Sequence, residues 1–222
     1  MTQPDGPMIR PVCRVLALAL TVLVVLNAEP ADAARSCARA PVSGVDQPVD
    51  PKRIDQRRLN AAILSEVNYL RCRKGLSQLA APGSLQKVAA GHSRWMASKG
   101  RLTHMSDRRG KQTPKDRVVS TGLVKRMGSE NIAKVSLYRL DEVGRFRIDD
   151  AAACRFRTTN GNRIGPHTYG SLARYVANLW YNSSKHRKNL MDGRARMTGT
   201  GASFDARGRN CGNIYLTQNF AG

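Results

Sequence analysis

Apolar positions recur at spacings of three and four in three separate stretches of the chain, the period of helices with one buried face. The first stripe is Leu59, Ile63, Val67 and Leu70. Asp55 stands where it caps that helix, with Ile54 and Leu59 at the two staple positions around it, and Gly75 ends it. The second stripe starts at Ser84 and runs through Leu85, Val88, Ala89, His92 and Met96 to a stop at Gly100. The third runs from Ser171 through Leu172, Tyr175, Val176 and Leu179 to Trp180.

Elsewhere the pattern alternates or fades. Residues 130–135 give a short apolar alternation. Thr198 to Phe204 and Ile214 to Phe220, joined by a loop holding Gly208, Cys211 and Gly212, read as a terminal hairpin. Ser106 to Lys125 is polar and basic, a loop or a broken helix. Asp141 to His167 has turn signals such as Asn160-Gly161 and reads as an insertion, with Cys154 tying it to the body. Helices followed by a terminal hairpin, with one earlier strand, imply an α+β layered domain.

The amino terminus has a different grammar. Arg10 and Arg14 precede the apolar run Val15 to Leu26, and Ala31-Asp32-Ala33 supplies the small residues of a cleavage site. This is the pattern of a secretory signal peptide over residues 1–33, too short in its apolar part for the roughly 20 residues of a membrane-spanning helix. Residues 34–54 are rich in Pro, Ser, Ala and Gly and read as a flexible tether. The domain proper is expected over residues 55–222, with an insertion at about 136–170. A secreted or periplasmic location follows.

Cys37, Cys72, Cys154 and Cys211 remain after the leader, enough for two disulfides in an oxidising compartment, with all three pairings open. No C-x-x-C pair is present, which argues against a thiolate metal site. The chain carries 37 basic and 16 acidic residues, a formal charge of +21. The leader holds two basic and three acidic groups, so the remainder stands at +22. Such a charge draws a protein toward anionic lipid or an anionic envelope polymer. Aromatic residues make up only 5% of the chain and do not interleave with the basic clusters, which argues against base stacking on nucleic acid.

Three segments carry candidate chemistry: Leu102-Thr103-His104-Met105-Ser106, Gly128-Ser129-Glu130-Asn131-Ile132-Ala133 and Trp180-Tyr181-Asn182-Ser183-Ser184-Lys185-His186-Arg187-Lys188-Asn189-Leu190. Their order and context, together with Asn68-Tyr69-Leu70-Arg71 and the ending Tyr215-Leu216-Thr217-Gln218-Asn219-Phe220, resemble the CAP superfamily of cysteine-rich secretory, antigen 5 and pathogenesis-related proteins, in its bacterial SCP-domain branch. The resemblance implies a three-layer α-β-α sandwich with a central, mostly antiparallel sheet and an open cavity. It also implies a cavity cluster of His104, Glu130 and His186. His104 and His186 match the histidines able to bind a divalent cation such as zinc. The family's second acid falls on Ser183 here, and Ser129 replaces the glycine before the glutamate, so the cluster has three members at most.

Two imidazoles and a carboxylate suit either a partial zinc shell or a metal-free general base with its orienting acid. They equally suit a structural hydrogen-bond cluster. A serine nucleophile at Ser183 lacks a strained elbow or an oxyanion-hole glycine motif. His92, on an apolar helix face, reads as a satisfied core histidine. The favoured reading is a secreted, non-catalytic binding module for an anionic envelope component or lipid. The alternative is a metal-dependent hydrolase or peptidase working from His104, Glu130 and His186.

Overall fold

The computed structural model describes residues 37–222 together with the first two residues. The expected leader, Cys13 and the start of the expected tether lie outside the described residues. Helix α1 spans Gln56–Cys72, α2 Gly83–Lys99, α3 Pro114–Val119, α4 Tyr169–Asn182 and α5 Ser184–Leu190. Strands β1 (Gly128–Ser136), β5 (Met197–Asp205) and β6 (Asn213–Ala221) form the main sheet. Strands β2 (Phe146–Asp150), β3 (Arg155–Thr158) and β4 (Arg163–Ile164) form a second, small one.

The main sheet is antiparallel in the order β1-β6-β5, so the terminal hairpin is completed by the earlier strand pairing on its far side. Alternation along β6 assigns its two faces. Ile214, Leu216 and Phe220 join Ala133 and Val135 of β1 in a core with Leu59, Ile63 and Val67 of α1 and Leu172, Val176 and Trp180 of α4. Tyr215 points the other way and meets Ile132 of β1 and Met96 of α2. The result is the α-β-α sandwich expected.

Two glycines set the closeness of the α2 layer. A Cβ at Gly199 would run into the backbone of Leu85 and Gln86, and one at Gly201 into that of Ala90. On the other side α1 also closes the free edge of β5, since Asn60 and Gln56 accept from the backbone N–H groups of Thr200 at 2.7 Å and Ala202 at 2.9 Å. An open strand edge would otherwise invite pairing with another chain.

Asp55 caps α1 as expected, its side chain accepting from the N–H groups of Arg57 and Arg58. Gly100 ends α2 in the left-handed conformation, at φ 62°. Within Ser106 to Lys125, α3 is a short helix with a full capping box between Thr113 and Asp116. The tether expectation does not describe residues 37–54. Val49 is 3% exposed in the core and its N–H bonds the carbonyl of His167 at 2.8 Å. Cys37 is disulfide-bonded to Cys72 on α1, and Arg39 sits on Glu66 at 2.8 Å. Small and polar residues here make a fixed strap, because a few side chains anchor it.

The second disulfide, Cys154–Cys211, ties the small sheet to the β5–β6 loop, the role expected for Cys154. Behind that sheet Leu140, Phe156 and Ile164 form a separate small core. Among the described residues no helix is long and apolar enough to cross a membrane.

Candidate functional site

The site forms where β1, the loop after α2, α3 and α5 meet. Glu130 lies on the α2 face of β1, with its side chain fully buried. Arg117 of α3, also buried, grips it with two parallel bonds: Nε donates to Oε2 at 2.7 Å and Nη2 to Oε1 at 2.6 Å. The same guanidinium donates to the carbonyls of Lys111 at 3.0 Å and His104 at 2.6 Å, which fixes the 104–113 loop over the sheet.

His104 completes the carboxylate's shell, its Nδ1 2.9 Å from Glu130 Oε1. His92 approaches from α2, with Nε2 3.9 Å from the same oxygen and 2.9 Å from the Thr103 carbonyl. Since a carbonyl only accepts, Nε2 of His92 carries the proton. Burial by itself would raise the pKa of Glu130. The bonds to His104 and Arg117 outweigh it, and the carboxyl is held below its ordinary value. Burial lowers the pKa of His92, against the pull of Glu130.

The Trp180 to Leu190 segment reaches the site along the outer edge of β1, which it covers. Trp180 Nε1 donates to the Ile132 carbonyl at 3.1 Å, and Asn189 Nδ2 to the Glu130 carbonyl at 3.2 Å. Asn189 also bonds Asn131 Oδ1 at 2.8 Å, while Asn131 Nδ2 reaches the His186 carbonyl at 3.3 Å. These bonds satisfy edge groups of the sheet and seat α5 beside it. His186 is thereby brought into the field of His104. Burial, then His104, then Lys185 lower its pKa. Its Nδ1 is buried with no hydrogen-bond partner.

Of the three expected residues, His104 and Glu130 are in contact, and His186 lies within electrostatic reach of His104. Glu130 is committed to Arg117 and His104, so it is an orienting carboxylate rather than an open ligand. A divalent cation would find two imidazoles, His104 and His186, with Glu130 fixing the ring of the former as carboxylates do behind metal-bound histidines. Among the described residues no group of three or more His, Cys, Asp or Glu is arranged to hold a metal ion. The described residues around Glu130 therefore do not make a three-ligand shell. Ser183 occupies the N-cap position of α5 without a side-chain capping bond. Ser129 buries its Oγ unpaired.

Arg117, Asn131 and Asn189 have roles that residue-by-residue reading missed. The signal for Arg117 was the Thr113-x-x-Asp116 box with Pro114 at the first turn, which marks a helix start in the stretch expected to be a loop or a broken helix.

The family model for the cysteine-rich secretory protein family, CAP, matches residues 64–220. The chain belongs to this family. Two solved structures share the CAP fold. One is an extracellular protein with an SCP domain from Bacillus anthracis, 23% identical with a TM-score of 0.51, covering 78% of this chain and 44% of that one. The other is an outer surface protein of Borrelia burgdorferi, 17% identical with a TM-score of 0.50, covering 76% and 96%. The chain thus spans less than half the length of the Bacillus protein. No curated protein matches it as a sequence relative. The two disulfides agree with the oxidising conditions of a secreted CAP protein.

Proposed function

We propose that this CAP domain is an exported, non-catalytic binding module for an anionic envelope component or lipid, engaged through the rim around His104. The observation that carries the reading is the saturation of Glu130. Both of its oxygens are held by a buried guanidinium, so the cluster's only carboxylate is not placed to take a proton from water. The rim is amphipathic. His104 is 44% exposed between exposed Leu102 and Met105. Arg101, Arg108 and Arg109 are exposed beside it, with no carboxylate in ion-pair reach among the described residues. Exposed guanidiniums and small apolar side chains on one short segment suit an anionic headgroup or polymer at close range.

The test is sedimentation with phosphatidylglycerol vesicles and with anionic polymers across a salt series. Binding should fall steeply with salt, because the screening length shortens to about 8 Å near 0.15 M. It should also weaken in an Arg101→Gln, Arg108→Gln, Arg109→Gln variant. Salt-independent binding, or none, overturns the reading.

The proximity of His104 and His186 keeps a metal reading in view: the two imidazoles hold a divalent cation, and a hydrolase would use it to activate water. Zinc analysis of the purified protein beside a His104→Ala, His186→Ala variant separates the two. Stoichiometric zinc and peptide hydrolysis, both lost in the variant, would favour the hydrolase.

A further inference from the structure

The small sheet carries a row of like charges on its outer face. Direct cross-strand partners share a face. Phe156 opposes Ile164, and both are buried, so over β3 and β4 that face is turned inward, while Ile148 of β2 on the same face is exposed. The next row has Arg147 of β2 opposite Arg157 of β3, which is opposite Arg163 of β4, and all three are exposed. Like charges placed directly across strands repel. Asp149 pairs with Arg157 at 2.6 Å, but Arg147 and Arg163 have no carboxylate in ion-pair reach among the described residues.

Two further facts point to an anion as the missing partner. Residues 139–163 contain six arginines and no lysine, although the chain has ten lysines elsewhere. Arginine offers a planar fork of donors suited to oxyanions, whereas lysine offers a point charge. The strands that carry the row are anchored, by the Phe156 core behind them and by the Cys154–Cys211 disulfide at the β2–β3 turn. A fixed backbone leaves only side-chain freedom to be lost on binding.

From this we propose that the Arg147–Arg157–Arg163 row is a docking track for a linear phosphodiester polymer. Adjacent strands lie about 4.8 Å apart, so the three arginines are rooted at roughly that interval across about 10 Å. A tetrahedral phosphodiester directs its free oxygens out of one plane and can bridge forks on neighbouring strands. A carboxylate has two coplanar oxygens that one fork fills. No exposed aromatic ring interleaves with the row, so the contact is to backbone phosphate and not to stacked bases. The inference rests on the anion-binding reading above, but places its polymer contact on the small sheet, on elements other than those of the His104 rim.

The experiment measures binding of the full exported chain to poly(glycerol phosphate). Its arms are wild type, Arg147→Gln/Arg163→Gln, the triple variant adding Arg157→Gln, and a charge-matched control, Lys87→Gln/Arg94→Gln. The double variant breaks no ion pair, so its fold is expected to hold, as checked by thermal melting. Expected results are about tenfold weaker binding in the double variant, a further loss in the triple, and less than threefold change in the control. An Arg147→Lys/Arg163→Lys variant should recover only part of the affinity. Equal losses in the double variant and the control would overturn the track. So would equal wild-type binding to polygalacturonate, or binding to phosphatidylglycerol vesicles and not to the polymer. Wild-type protein that binds neither vesicles nor any polymer would remove the anion-binding reading itself.

Discussion

Arg117 holds Glu130 by both carboxylate oxygens, at 2.7 and 2.6 Å, with the two side chains 1% and 0% exposed. The pair joins α3 to β1 and, through the His104 carbonyl, fixes the histidine loop. Removing one partner leaves a buried charge unanswered. Arg117→Met should therefore cost about 3–5 kcal/mol in denaturant unfolding, whereas the double variant Arg117→Met/Glu130→Gln should recover a good part of it. A double variant no more stable than the single would show that the guanidinium acts mainly through its carbonyl bonds.

The fold was legible wherever one physical signal dominated. The stripes of α1, α2 and α4 could be read because each buries a single face at helical period, and Asp55 and Gly100 punctuated them. The strap at 37–54 could not be read, because one buried Val49 and a disulfide fix a segment whose composition is that of a loop. His104, Glu130 and His186 were visible through family resemblance. Their division of labour was not, because it depends on Arg117, a single residue in a basic stretch where any of several cations could have turned inward.

His167 predicts a loss of stability in acid. It is fully buried, with Nδ1 3.0 Å from Ser171 Oγ and 3.8 Å from Glu142, and its Nε2 has no hydrogen-bond partner. Burial lowers its pKa from 6.5 to about 4, opposed by Glu142 and Asp141 and aided by Arg139. The unfolded chain thus binds a proton that the folded chain refuses. The stability this represents is complete above about pH 6.5 and is lost as pH falls toward 4, by up to about 3 kcal/mol. Unfolding free energies measured from pH 7.5 to 4 should fall in wild type, and the fall should flatten in His167→Asn. Parallel slopes in the two proteins would assign the acid sensitivity elsewhere.

The two disulfides should differ in what they protect. Cys37–Cys72 and Cys154–Cys211 span 35 and 57 residues, for which loop-closure entropy gives roughly 4 kcal/mol each. Replacing Cys154 and Cys211 by Ala should open the small sheet first, exposing 146–164 to limited proteolysis while the main sheet persists. Replacing Cys37 and Cys72 should instead free the strap. Mass spectrometry of early fragments distinguishes the two, and identical fragments would refute this division.

Gly201 tests the link between packing and site. Its missing side chain lets α2 lie against β5, and a Cβ there would meet the backbone of Ala90. Backbone cannot rotate aside as a side chain can, so Gly201→Ala must push α2 outward. Overpacking of this kind costs typically 1–3 kcal/mol, and a contact with main chain belongs at the upper end. The consequence travels further, because α2 carries His92 and leads through Gly100 to His104. A shifted helix lengthens the His92 bond to Thr103 and loosens His104 on Glu130. NMR of the His104 ring signals at fixed pH should therefore show its environment altered in Gly201→Ala, even though residue 201 belongs to β5, a strand that carries none of the site's side chains. An unchanged His104 signal beside a clear loss of stability would show that the loop is held by Arg117 alone.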